Sequence, residues 1–189
     1  MDVALEGAKR WSLIVLDGSS RTMLAGAVAP AEASWVALRV LYAACRRYGT
    51  PATLVSDRGG AFTSHDVEAV CHRLQMHHER IESTKGASDL NGLETHVNVQ
   101  RRLYDYQCSL TTTPAACEQA HQALMERSNT TAHPGLLKEH CDPPIPRVVL
   151  GEAQGRTSSP EELGRKCSHV LLPRTTNPYG CVTLHHYHF

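Results

Sequence analysis

Three acidic residues are spaced so that a folded chain could use them together. Asp2 opens a short apolar run, Asp57 follows Thr53-Leu54-Val55-Ser56, and Glu94 stands near the start of a helical pattern. In a β-β-β-α-β-α order these acids, distant in sequence, would share one cleft. Such a cluster suits phosphodiester chemistry. Hard divalent cations take carboxylate oxygens, and two of them about 4 Å apart activate an attacking oxygen and stabilise a leaving one. Taken singly, Asp57 is an ordinary polar residue ending a strand, and Glu94 is a first-turn helix acid favoured by the helix dipole. A fourth acid, Asp17, sits in Leu16-Asp17-Gly18-Ser19-Ser20-Arg21, a setting that suits a turn cap. Thirty-six residues separate Asp57 from Glu94.

The elements that must position these acids follow from periodicity and punctuation. Residues 12–17 and 23–28 are apolar runs around Gly18-Ser19-Ser20 and predict a hairpin. Over residues 31–48 the apolar positions Trp35, Leu38, Leu41, Tyr42 and Cys45 recur at helical spacing, closed by Gly49 and Pro51. Residues 53–56 predict a short buried strand, which puts Asp57 at its C-terminal tip and Arg58-Gly59-Gly60 in the turn beyond. A second helix, capped by Thr63 or Ser64, carries Val67, Val70, Cys71 and Leu74 on one face and precedes a brief strand over residues 76–81.

Residues 82–91 are polar and read as a loop holding Lys85, and residues 92–108 return to helical spacing through Leu93, Val97, Gln100 and Tyr104. Glu94 then lies in the first turn, with Asn98 and Arg101 on the same face, placed to meet phosphates. Another helix spans residues 114–127, with Pro114 where its missing N–H costs nothing. Prolines at 134, 143, 144, 146 and 160 mark an arm, and residues 170–173 and 181–189 read as two strands of a small β unit. The expected organisation is an α/β catalytic core over 1–140, an extended linker over 141–168, and the start of a small C-terminal β domain over 169–189.

Composition bounds the function. The 189 residues are 41 % hydrophobic and 20 % charged, near globular norms, with no apolar run close to the roughly 20 residues that cross a membrane. Seven cysteines lie singly, with no Cys-x-x-Cys pair, and read as reduced thiols in a cytosolic setting. The twelve histidines form no zinc pattern, since His77 and His78, adjacent on a strand, point to opposite faces. A formal net charge of zero means that any grip on nucleic acid must be local.

Leu54-Val55-Ser56-Asp57-Arg58-Gly59-Gly60-Ala61-Phe62-Thr63-Ser64 resembles the second-aspartate segment of DDE-type transposases and retroviral-type integrases, bacterial insertion-sequence transposases among them. Asn91-Gly92-Leu93-Glu94 resembles the region holding their catalytic glutamate, at a similar interval. Asp17-Gly18-Ser19-Ser20-Arg21 is similar to their second-strand turn, whose aspartate is not normally a metal ligand. Asp2 and Asp17 are thus the two candidates for the first catalytic aspartate, and Asp2 is preferred because in these relatives that residue lies one strand earlier, where Met1-Asp2-Val3 stands. Residues 129–136 resemble the Asn-His-x-x-x-Pro-His-x-x-Leu tail of these transposases, with His133-Pro134 inverted.

The resemblance covers about residues 1–140. It implies a ribonuclease H-like mixed sheet flanked by helices, followed by a C-terminal arm and a partial small β unit. It implies a polynucleotidyl transferase in which Asp2, Asp57 and Glu94 bind two Mg²⁺ or Mn²⁺ ions. Water first cuts at the element's end, and the freed 3′-hydroxyl then attacks target DNA. It further implies double-stranded DNA as partner (element ends and target) with contacts from Lys85, Asn98 and Arg101, a homo-oligomer, and a bacterial cytoplasm beside the nucleoid. Arg58 and Thr95 depart from the Asn and Arg that commonly follow the two acids. Thr95 and the neutral charge support an alternative, a catalytically decayed core acting as a DNA-binding or assembly module.

Overall fold

The computed structural model describes residues 2–5, 8–81, 113–152 and 155–168. Strand β1 (Asp2–Leu5) pairs antiparallel with β2 (Ala8–Leu16), and β2 pairs antiparallel with β3 (Met23–Ala29). After helix α1 (Ser34–Tyr48), β4 (Thr53–Ser56) and β5 (His77–Arg80) form a parallel pair joined by helix α2 (His65–Arg73). Antiparallel and parallel strands flanked by helices are the expected mixed architecture. The described chain continues with α3 (Pro114–Thr130), α4 (Pro134–Lys138), α5 (Pro146–Leu150) and α6 (Pro160–Ser168).

The β2–β3 hairpin owes its turn to Asp17. One carboxylate oxygen, Oδ2, accepts from both the backbone N–H and the hydroxyl of Ser20, each at 2.7 Å. The Asp17 N–H donates to the Thr22 carbonyl at 2.9 Å, and Arg21 takes a positive φ of 63°. This is the turn-capping role expected of Asp17.

Helix α1 lies between two apolar bodies and buries a face toward each. Val36 and Val40 pack with Ala27 and Ala29 of β3, whereas Ala37, Leu41 and Cys45 join Val67, Val70 and Cys71 of α2 with Leu74 and Met76 beyond it. The buried stripe is therefore Val36, Ala37, Val40, Leu41, Ala44 and Cys45. Of the expected face, Leu41 and Cys45 are buried and Leu38 and Tyr42 pack against the same cluster, whereas Trp35 is 55 % exposed and lies under the Arg39 guanidinium. The second buried face, through Val36, Val40 and Ala44, is the addition the structure makes, with the small Ala37 and Ala44 among the buried positions.

Caps end the helices as their sequences allow. Ser64 Oγ accepts the Val67 N–H at 3.3 Å, Thr113 Oγ1 accepts the Ala116 N–H at 3.2 Å, and His133 Nδ1 accepts the Gly135 N–H at 3.0 Å. Pro114 and Pro134 occupy first-turn positions.

The segment 141–168 was expected to be extended, yet it holds α5 and α6. Leu163 of α6 is buried in the same cluster as α1 and α2. Arg156 exchanges two backbone hydrogen bonds with Thr50, at 2.8 and 2.9 Å, and its guanidinium donates to the carbonyls of Leu74 and Gln75. Prolines that look like linker punctuation act here as helix-starting residues at 146 and 160. Residues 169–189, the expected small β unit, lie outside the described residues, as does the predicted helix over 92–108.

Helix α3 closes the sheet by approaching β3 at Gly26. A Cβ there would stand 2.6 Å from His121 Nε2, 2.8 Å from Met125 Sδ and 3.2 Å from the Leu13 carbonyl oxygen. Gly26→Ala should force the fully buried His121 and Met125 aside and lower unfolding free energy by about 1–3 kcal/mol, read as a lower urea midpoint. An unchanged midpoint would show that α3 can lift off β3 without penalty.

Candidate functional site

Parallel pairing of β4 with β5 runs in the register Thr53–His77 to Ser56–Arg80 and carries the chain out at Asp57. Ser56 is buried, and its hydroxyl donates to the Asp57 carbonyl at 2.8 Å. The same oxygen lies 2.9 Å from His78 Nε2. Because the hydroxyl hydrogen is used on the carbonyl, the imidazole must be the donor in that second bond. Asp57 is thus set on a backbone fixed from beneath by β5.

The side chain of Asp57 is exposed, and its Oδ1 accepts the Gly59 N–H at 2.9 Å. This Asx turn folds the Arg58-Gly59-Gly60 loop back on the carboxylate and leaves Oδ2 without a hydrogen-bond donor among the described residues. An exposed carboxylate oxygen at a strand tip is a hard donor suited to Mg²⁺ or Mn²⁺.

The expected strand-tip position of Asp57 is met. Asp2 lies in β1, opposite Trp11 in the β1–β2 register. Glu94, Lys85, Asn98 and Arg101 lie outside the described residues. Asp17, whose Oδ2 serves the hairpin turn, does the structural work anticipated for it. Among the described residues no group of three or more His, Cys, Asp or Glu is arranged to hold a metal.

Glu32 was missed by sequence reading. It lies between β3 and α1, and its Oε1 accepts the Ala61 N–H at 3.1 Å, reaching the loop that follows Asp57. An acid two residues ahead of a helix looks like an ordinary helix-start charge, so only the tertiary contact reveals it.

The chain's likeness to known proteins agrees with this geometry. The fold is that of integrase catalytic cores. Residues 1–85 match the model of the integrase core domain family, rve, which takes in β1 to β5 and both Asp2 and Asp57. A chain of the simian T-cell lymphotropic virus intasome, solved in complex with PP2A regulatory subunit B56 gamma, is 17 % identical at a TM-score of 0.56, with 71 % of this chain covered. The match spans about half of that longer chain, 48 %. The magnesium complex of the HTLV-2 integrase catalytic core domain, in its dimeric form, is 16 % identical at a TM-score of 0.56, covering 71 % of this chain and 86 % of that one. The catalytic core domain of BIV integrase is 21 % identical at a TM-score of 0.53, covering 74 % and 93 %. No curated protein matches the chain by sequence.

Histidines set a pH limit on this frame. Burial lowers the pKa of His121 below the ordinary 6.5, against an opposing pull from Glu118. Burial does the same at His78, aided by Arg80, and at His133, aided by Arg21. The unfolded chain therefore takes up protons that the folded chain refuses. Stability contributed by the neutral imidazoles is complete above about pH 6.5 and is lost as pH falls below it. Urea midpoints should drop between about pH 7.5 and about pH 5.5, and His121→Gln should flatten that drop. A wild-type midpoint constant across this window would refute the linkage.

Proposed function

We propose that this chain is the catalytic core of a DNA transposase or integrase, a polynucleotidyl transferase that cuts and joins phosphodiesters at the ends of a mobile element. The observation that carries the reading is an exposed Asp57 at the tip of β4, its Oδ2 without a donor among the described residues, within the span that matches the integrase core family. The magnesium bound to the HTLV-2 core supports a divalent cation here.

Asp57, with Asp2 and Glu94, would hold two Mg²⁺ or Mn²⁺ ions. When bound, these supply Lewis-acid stabilisation of the attacking and leaving oxygens. The protein's own contribution is positioning. The Gly59 N–H orients the Asp57 carboxylate, and Ser56 with His78 fixes the backbone that bears it. Asp2 enters from β1. Lys85, Asn98 and Arg101 meet DNA phosphates and set the register of the strand to be cut. Water cleaves the element's end to leave a 3′-hydroxyl, and that hydroxyl then attacks the target, so one phosphodiester bond forms as another breaks. The intasome assembly and the dimeric HTLV-2 core support a homo-oligomer. It would work on paired DNA ends, and the expected setting is the cytoplasm of a bacterium beside its nucleoid.

Disintegration of a branched DNA substrate in Mg²⁺ or Mn²⁺ tests the reading. Asp2→Asn, Asp57→Asn and Glu94→Gln should each lower the rate on the order of 100-fold or more, with Asp17→Asn close to wild type. Activity lost in Asp17→Asn and kept in Asp2→Asn would reassign the first ligand. Silence of the wild type with either metal, repeated on a full-length protein, would favour a decayed DNA-binding or assembly module.

A further inference from the structure

We infer that Glu32 is a positioning residue for Asp57, holding the loop that presents it, an inference that rests on the function proposed above. Two carboxylates bear on one glycine. Glu32 Oε1 lies 2.8 Å from the point where a Cβ on Gly59 would stand, and Asp57 Oδ1 lies 2.9 Å from that same point. The two oxygens are therefore no more than about 6 Å apart, since each is under 3 Å from it. Their backbone partners interleave, with Asp57 taking the Gly59 N–H and Glu32 taking the Ala61 N–H. Only glycine leaves room for both acids, which gives Gly59 a steric reason independent of turn chemistry.

The ordinary explanation of an acid before a helix is capping or attraction to the helix dipole. The geometry speaks against that here. The N-cap of α1 is Ala33, with no side-chain cap hydrogen bond, and the first turn holds no acid. The Glu32 oxygen is instead directed at a loop 29 residues onward. That bond ties the β3–α1 connection, fixed by the core through Ala29 and Val36, to a turn whose far end Ala61 and Phe62 anchor in the other apolar cluster. Glu32 thus lends the Asp57 turn the rigidity of the β3–α1 body, as outer residues around a metal ligand do.

Mn²⁺ titration of the full chain, followed by water-proton relaxation, tests this together with the Mn²⁺ concentration for half-maximal disintegration. Glu32→Ala should weaken Mn²⁺ binding about 10-fold or more, whereas Glu32→Gln, which keeps an acceptor for the Ala61 N–H, should stay within about 3-fold of wild type. Gly59→Ala, whose Cβ must displace one of two exposed carboxylates while the core stays intact, should weaken binding like Glu32→Ala. Melting temperatures of all three should remain near wild type. Wild-type affinity in both Glu32→Ala and Gly59→Ala, with Asp57→Asn impaired, would overturn the role of Glu32 alone. Equal loss in Glu32→Gln and Glu32→Ala would overturn positioning through the hydrogen bond. Full affinity in Asp57→Asn, or no Mn²⁺ binding by the wild type, would overturn the metal reading and Glu32's role with it.

Discussion

An edge strand presents backbone groups that no further strand pairs, and in this protein helix α3 meets that demand from its side chains. Asn129 brackets Met23, its Oδ1 accepting the Met23 N–H at 2.8 Å while its Nδ2 donates to the Met23 carbonyl at 2.9 Å. Glu118 accepts the Val28 N–H at 3.0 Å, and Gln122 donates to the Gly26 carbonyl at 3.2 Å. Helix and strand are thus joined much as two strands would be, over nearly the whole length of β3. The arrangement demands that α3 come close, which is why position 26 bears no side chain. It also closes an edge on which another chain could otherwise pair.

With β3 held on its outer side, α1 is free to pack against the sheet with one face and against α2 with the other. Its two-sided burial joins the β2–β3 hairpin to the β4–α2–β5 unit, and these two bodies carry the Glu32 and Asp57 turns respectively. The distance between those turns therefore depends on the fit of α1, including its alanines at 37 and 44, as well as on the Glu32–Ala61 hydrogen bond. Substitutions that enlarge these positions act on the site through the spacing of rigid elements.

Much of this was legible in the sequence because the signals were local. The strand over 53–56, found in position though not in burial, since Val55 is 47 % exposed, the Ser64 cap, the helix face through Val67, Val70 and Cys71, and the Pro114 start all depend on neighbours within a turn or two. What escaped depends on tertiary choice. One face of α1, through Leu41 and Cys45, was found, but the second, through Val36 and Val40, was not, and Trp35 has its partner in Arg39 on the surface. The arm looked extended because proline reads equally as a linker residue or a helix start, and only Leu163 docking against α1 and α2 decides between them. Asp57 was found through its strand and the glycines after it, whereas Glu32 carries no local mark of its contact with Ala61.

The arm shows how stability and chemistry are kept apart along one strand. Arg156 pairs with Thr50, just ahead of β4, and covers the carbonyls that end the α2 segment at Leu74 and Gln75. Asp57 leaves the other end of the same strand, four residues of β4 away. At about 3.3 Å per residue, that strand alone separates latch and carboxylate by more than 10 Å. The carbonyl groups at the latch are met by a guanidinium, whose fixed fork of donors suits two adjacent acceptors. The Asp57 end is left with an exposed carboxylate and a short turn. On the function proposed above, a rigid, highly charged polymer would approach that exposed end, and the arm is anchored at the opposite end of the strand.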